Sequence, residues 1–303
     1  MKLASLDLGS NTFLCLVSEV QNQKITKIYS DEVEMVRLGQ GLSASKKFHP
    51  DALIRAKNTL INFRKTLDRE KPKAILAMAT SAARDAENQE ELFKICKDLN
   101  IPLEIIPGDK EAEITYRGGV SGLTTADSRL VVDIGGGSTE FIFGEDQKIL
   151  AGKSLDIGCV RLTEKFISAQ PTPPEEIIDL QNFIREQLKQ IIKLSSKPPT
   201  EILAVAGTPT TIAQVELGGF DPAKIDGYKL TKLGLQKWLV RLTGLSVAEK
   251  IQLGYPEGRA DVIIVGIITL LETLKAFNLT ELSVSTRGVR YGVALELAKR
   301  FNT

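Results

Sequence analysis

One histidine, one tryptophan and three cysteines are all that the 303-residue chain holds of those types, and its 39 basic and 38 acidic side chains nearly cancel. Cys15, Cys96 and Cys159 stand apart without metal-ligand spacing, so a reduced, cytoplasmic protein is expected, with the thiols as core filler. His49 has no second histidine to share a phosphohistidine or metal role and precedes a helix start, so it reads as a solvated or capping residue. A net charge of +1, well mixed along the sequence, argues against a general nucleic-acid or membrane-surface binder. The longest apolar run, Val262 to Leu271, has about half the length of a bilayer span and is flanked by Arg259, Asp261 and Glu272. It reads as a helix buried inside a second domain. The N-terminus enters a strand almost at once, without a charged leader and apolar stretch, so no secretory signal is expected. No low-complexity segment interrupts the chain.

What is present centres on Leu130 to Thr139, LVVDIGGGST. An apolar strand delivers Asp133 into Gly135, Gly136 and Gly137, followed by Ser138 and Thr139. Glycines without Cβ atoms let several backbone N–H groups aim at one anion, and an aspartate at the strand end suits a hydrated divalent cation. The segment reads as a phosphate-plus-metal site, with a plain glycine hairpin in an antiparallel sheet as the bland alternative. A second copy stands at Leu3 to Thr12, LASLDLGSNT, where Asp7 precedes Asp133 by 126 positions. AILAMATSAAR (Ala74 to Arg84) and EILAVAGTPTT (Glu201 to Thr211) match at a shift of 127. Two matches at nearly one spacing indicate an internal duplication, and two such halves would hold a ligand in the cleft between them.

Each half is expected to run strand, D-x-G turn, strands, helix, then an apolar strand ending in a small-residue turn. Phe13 to Val20 and Lys24 to Tyr29 read as a hairpin, Val33 to Leu38 as a third strand, and Gly39 to Ser45 as a loop. A helix opens at His49 with Leu53, Ala56, Leu60, Phe63 and Leu67 on one stripe. Ala74 to Ala79 and Leu103 to Ile106 read as strands, Glu90 to Leu99 as a helix, and Lys110 to Tyr116 as the start of another. The domain boundary is expected in Gly118 to Asp127, giving domains 1–124 and 125–303, the last helix being free to pack back on the first. In the second half a helix follows Pro173 and Pro174, with Ile177, Leu180, Ile184, Leu188 and Ile191 inward. Asp261 to Phe277 and Val289 to Arg300 flank a strand at Leu282 to Ser285.

DLGSNTF (Asp7 to Phe13), TSAAR (Thr80 to Arg84), PGDKEAE around Glu111, VVDIGGGSTE (Val131 to Glu140), DIGCVRLTE (Asp156 to Glu164), AGT (Ala206 to Thr208), RAD (Arg259 to Asp261) and SxxGxRxG (Ser285 to Gly292) follow one another in the order of a known family. The chain resembles the exopolyphosphatase and guanosine pentaphosphate phosphatase (Ppx/GppA) family over essentially its whole length. The resemblance implies an α/β fold of two duplicated actin-like, ribonuclease H-like domains with an interdomain cleft, the superfold of acetate and sugar kinases, heat-shock ATPases and actin. It departs from the family where Gly-Gly-Thr becomes Ala206-Gly207-Thr208, where Tyr291 replaces a common acid, and where Leu14 replaces a common basic residue. One histidine leaves no room for the His-Asp-type helical domain of long members, so this is expected to be a short, two-domain form.

The resemblance implies that Glu111 orients and deprotonates a water, while Arg84 neutralises charge developing on phosphate. The bland reading of Glu111 is an exposed helix-start glutamate. Asp133 and Glu140, with Asp7 in support, are expected to hold Mg²⁺ (or Mn²⁺ or another divalent cation), Glu140 having a solvent-facing strand position as its alternative. N–H groups from Gly9, Ser10, Asn11 and Thr12, from Gly135, Gly136, Gly137 and Ser138, and from Gly207 and Thr208 are expected to clamp phosphoryl oxygens. Arg161, Arg259 and Arg290 serve equally as phosphate ligands or ion-pair partners. The leading expectation is release of the terminal phosphate from inorganic polyphosphate, guanosine pentaphosphate or both. An ATP-dependent kinase of the same superfold and a non-catalytic guanosine-polyphosphate sensor are the alternatives. No nucleic-acid or membrane partner is expected, and a homodimer is left open.

Overall fold

The computed structural model of the chain describes residues 1–123, 128–195 and 197–301. Thr124 to Asp127, the end of the expected boundary segment, lie outside the described residues. The chain divides into unit 1, Met1–Leu123 with Arg287–Thr303, and unit 2, Thr124–Thr286.

Unit 1 begins with β1 (Lys2–Leu8), β2 (Thr12–Gln21) and β3 (Lys24–Met35). The strands expected at Lys24 to Tyr29 and Val33 to Leu38 are one continuous strand as far as Met35, bent at irregularities opposite Val17/Ser18 and Glu19/Val20. Its alternation is obscured because an edge strand leaves Ile28, Tyr29 and Val33 half exposed. Gly39 to Ser45 is not all loop, since it holds the short α1 (Leu42–Ser45). α2 (Pro50–Glu70) is capped by His49, whose ring nitrogen accepts from the Asp51 amide, and the expected apolar stripe is buried. β4 (Ala74–Ala79), α3 (Ser81–Asp85), α4 (Gln89–Asp98), β5 (Leu103–Ile105) and α5 (Gly108–Gly119) follow. The sheet order is β3-β2-β1-β4-β5, antiparallel on the first side and parallel on the second.

Unit 2 repeats the plan with β6 (Arg129–Ile134), β7 (Thr139–Glu145), β8 (Lys148–Leu155), α6 (Cys159–Phe166), α7 (Pro174–Ile192) and β9 (Glu201–Val205). It continues through α8 (Gly207–Leu217), α9 (Pro222–Ile225), β10 (Lys229–Thr231), α10 (Lys232–Thr243), α11 (Val247–Gln252), α12 (Ile263–Ala276) and β11 (Glu281–Val284). Its sheet runs β10-β11-β9-β6-β7-β8. The final helix, α13 (Val289–Arg300), belongs to unit 1 and not to the second half, because Gly118 and Gly292 let it approach α5 backbone to backbone.

The duplication is written into the registers. In unit 1, Leu3 lies beside Ala74 and Asp7 beside Met78; in unit 2, Arg129 lies beside Glu201 and Asp133 beside Val205. These are the same pairs displaced by the two shifts that the sequence displays. Two α/β units thus repeat one strand order and register. α12 is buried on every face from Ile263 to Leu274, and its apolar side chains there form part of the unit 2 core. No helix among the described residues is long and apolar enough to cross a membrane. Burial pushes the Cys15 and Cys96 thiols up to about 12, which keeps them inert.

Candidate active site

In unit 2 the glycine turn joins antiparallel β6 and β7, so the bland hairpin reading describes its connectivity. What makes it more than a hairpin is where its carbonyls go. The Gly135 carbonyl accepts from the Cys159 amide (2.9 Å), that of Gly136 from the Val160 and Arg161 amides (2.9 and 3.1 Å), and that of Gly137 from the Gly158 amide (3.3 Å) and Arg161 Nε (2.8 Å). In a trans peptide C=O and N–H point in opposite directions, so the Gly136, Gly137 and Ser138 amides turn away from α6 as one fan. Gly135 is differently used: its amide closes the turn on the Ser138 carbonyl at 3.0 Å. Backbone contact this close requires Gly158 to lack a Cβ, which would overlap Gly136 and Gly137. Gly158 was not picked out in the sequence as a site residue, although it lies in the DIGC motif.

Unit 1 builds the same turn. Gly9 donates to the Thr12 carbonyl (3.1 Å), the Ser10 carbonyl accepts from Gly39 (2.8 Å), and the Asn11 carbonyl accepts from Val36 and Arg37 (3.0 and 2.9 Å). The Asn11 and Thr12 amides are thereby turned outward, while Gly9, like its counterpart, is spent on the turn. The Ser10 hydroxyl accepts from the Ala82 amide at 3.2 Å, tying the turn to α3.

α3 in turn carries the residues that meet Glu111. This carboxylate, in the first turn of α5, is only 6% exposed, so the exposed helix-start alternative does not describe it. Its Oε2 accepts from Arg84 Nη1 at 2.7 Å, and the same nitrogen donates to the Ile106 carbonyl at 2.9 Å. Burial raises Glu111 above the usual carboxylate value, outweighing the Arg84 charge and the hydrogen bonds from Arg84 and Thr80. Thr80, unassigned in the sequence, therefore belongs to this cluster. Asp7 stands in the same unit at the end of β1. Arg290 is held by Asp31 through two hydrogen bonds of 2.6 and 2.8 Å, an ion pair within unit 1.

Asp133 and Glu140 are directly opposed in the β6–β7 ladder, which puts both side chains on one face of the sheet. Both are buried, at 6% and 1% exposure, so Glu140 is not solvent-facing. Glu140 Oε1 accepts from the Ser138 and Ser154 hydroxyls at 2.8 and 2.7 Å. Among the described residues no group of three or more His, Cys, Asp or Glu side chains forms a metal cage. A pair of carboxylates that leaves the remaining positions to water and phosphate is the donor set that suits magnesium.

Gly207 and Thr208 open α8, whose start has no side-chain cap and no acidic residue. Such a helix end presents bare N–H groups and the positive pole of its dipole. The Arg259 guanidinium lies against Gly207, where a Cβ would overlap it, and burial lowers its ordinarily high pKa. Thr208 Oγ1 is 3.4 Å from Cys159 Sγ, and Gly266 of α12 leaves room for the Thr208 side chain. Unit 2 thus brings together the amide fan, the two carboxylates, the α8 start, Arg161 as a brace of the turn, and Arg259.

Residues 16–301 match the model of the Ppx/GppA phosphatase family. Exopolyphosphatase 2 of Mycobacterium tuberculosis is 32% identical over 98% of this chain and 98% of its own length. Guanosine-5'-triphosphate,3'-diphosphate pyrophosphatase of Photobacterium profundum is 28% identical over 98% of this chain, which spans 59% of that protein. The crystal structure of an exopolyphosphatase from Cytophaga hutchinsonii superposes with a TM-score of 0.91 at 29% identity, covering 99% of this chain and 98% of the other. The chain belongs to the Ppx/GppA phosphatase family and is a phosphohydrolase.

Proposed function

We propose that this hydrolase removes the terminal phosphate from a linear phosphate polyanion, with inorganic polyphosphate as first substrate and guanosine pentaphosphate as second. The observation that carries the reading is Glu111: a buried carboxylate of raised pKa in the first turn of α5, paired with Arg84 of α3, the helix that Ala82 and Ser10 tie to a phosphate-type turn. A carboxylate so placed accepts the proton of an attacking water, and Arg84 opposes the charge that gathers on the transferred group. The outward amides of Asn11 and Thr12 within unit 1, and those of Gly136, Gly137, Ser138 and the α8 start within unit 2, are each disposed to bind phosphoryl oxygens. Within unit 2, Asp133 and Glu140 would hold Mg²⁺ or a similar ion, and when bound it would supply charge neutralisation at phosphate oxygens. Polyphosphate comes first because the relative matched from end to end carries the exopolyphosphatase name.

The test is orthophosphate release from polyphosphate and from guanosine pentaphosphate, with Mg²⁺ and no added acceptor. Release supports hydrolysis. Turnover of ATP only with an added sugar or acid would point to a kinase, and binding without turnover to a sensor.

A further inference from the structure

Lys250 is the one lysine among the described residues that is wholly withdrawn from water, at 0% exposure. Nothing in the proposed chemistry uses it. Burying an ammonium rarely stabilises a fold more than an apolar side chain of the same size would, so its presence calls for another account. Its partners are specific. Lys250 Nζ donates to Gln170 Oε1, and Gln170 Nε2 donates to the backbone carbonyl of Asp261 at 2.6 Å. Burial pulls the Lys250 ammonium down to about 8, against the opposing charge of Asp261.

The carbonyl that Gln170 grips lies two residues beyond Arg259. Between Pro256 and Val262 the chain forms a tight turn, with the Arg259 and Ala260 amides donating to Pro256 O at 3.0 and 3.1 Å and the Val262 amide to Arg259 O at 3.1 Å. One side of this turn feeds α12 and the other carries the Arg259 guanidinium onto Gly207. Lys250 itself is fixed by a capping box at the start of α11, where Ser246 and Glu249 exchange hydrogen bonds. An anchored chain of contacts therefore runs from α11 through Gln170 to the back of the turn that presents Arg259.

We propose that Lys250 is a positioning residue for the phosphate end of the unit 2 site: through Gln170 it fixes the Asp261 carbonyl, and so the turn that seats Arg259 over the α8 start. This rests on the reading that the α8 start takes phosphate. Lys250→Met keeps the aliphatic stem and removes the ammonium. Gln170→Glu leaves Lys250 a partner but replaces the amide donor to Asp261 with an acceptor.

Steady-state orthophosphate release, calorimetric binding of inorganic phosphate and thermal unfolding are measured for both variants, alone and combined with Arg259→Gln. The expectation is a rise of about tenfold in KM and in the Kd for phosphate, typical of losing an outer positioning partner. kcat should change far less, unfolding should stay near that of the unmodified protein, and neither variant should have further effect once Arg259 is Gln. Unchanged KM and Kd, or effects that add to that of Arg259→Gln, overturn the proposal. If Lys250→Met does not fold, Gln170→Glu decides by the same criteria. A protein that binds phosphate but hydrolyses neither polymer refutes the hydrolase reading while the binding arm still judges Lys250. Failure to bind phosphate at all refutes both.

Discussion

Ala206 and Gly207 are adjacent, and the structure predicts opposite outcomes from exchanging glycine and alanine at the two positions. Ala206 has φ 71° and ψ −163°, a region that is essentially glycine-only and costs about 1–3 kcal/mol for a residue with a Cβ. Ala206→Gly removes that strain, while a more flexible unfolded chain gives back about 0.4–1 kcal/mol. The net gain is about 0.5–2 kcal/mol, read as a higher urea midpoint at unchanged slope. Gly207→Ala adds its Cβ where the Arg259 guanidinium lies, so either Arg259 leaves its seat or the α8 start shifts. Overpacking of this kind costs about 1–3 kcal/mol, and phosphate binding should weaken with it. Urea unfolding and phosphate calorimetry on both variants check the pair. Loss of stability in Ala206→Gly, or a Gly207→Ala protein that matches the original in both assays, would refute the reasoning.

Glu111→Gln should lower kcat by about 10²–10⁴-fold, the range for a lost general base, and leave polyphosphate binding within several-fold; loss of binding in step with rate would make the residue structural. The acidic limb of kcat/KM should lie above 4.5, since burial raises Glu111, and in Arg84→Met it should move higher still because both lowering effects of Arg84 disappear; a limb at or below 4.5 contradicts this. The sign for stability is the reverse of the usual carboxylate. Folded Glu111 keeps its proton to higher pH than the unfolded chain, so its contribution falls as pH rises from 4.5 through the folded value, and Glu111→Gln should unfold no more easily than the original at neutral pH. Gly158→Ala puts a Cβ into the Gly136 and Gly137 backbone, where no flexible side chain can yield. It should cost about 1–3 kcal/mol and weaken phosphate binding, checked by unfolding and calorimetry.

The duplicated frame was legible because two short matches at shifts of 126 and 127 are the strands that pair in parallel in each sheet, Leu3 with Ala74 and Arg129 with Glu201. The D-x-G turns were legible for the same reason: glycine and small polar residues at a strand end are a local signal. What escaped was set by distant partners. Gly158 looks like any loop glycine until the turn at Gly136 and Gly137 packs on it, and nothing local marks Lys250 as buried until Gln170, 80 residues away in the chain, closes over it. Arg84 and Glu111 were each expected from motifs, but their ion pair depends on α3 and the first turn of α5 meeting. α6, α8, α10 and α11 went unassigned because turn-forming residues and short lengths hide their period.

The two units show how a repeated frame can carry unlike chemistry. Asp7 faces Leu14 across the β1–β2 ladder, whereas Asp133 faces Glu140 at the corresponding rung of β6–β7. Both units turn amides outward, but only unit 2 sets a second carboxylate beside the aspartate, with Ser138 and Ser154 bonded to it. Conversely, the position matching Arg84 at the shift of 127 is Thr211, a buried neutral residue of α8, so unit 2 has no counterpart of the Arg84–Glu111 pair. Each half therefore keeps the anion cradle that its backbone dictates and differs in the side chains placed around it. A cradle of N–H groups binds phosphate without regard to which bond is to break. The difference between the halves lies in the side chains alone: a buried carboxylate paired with an arginine in unit 1, and two opposed buried carboxylates in unit 2.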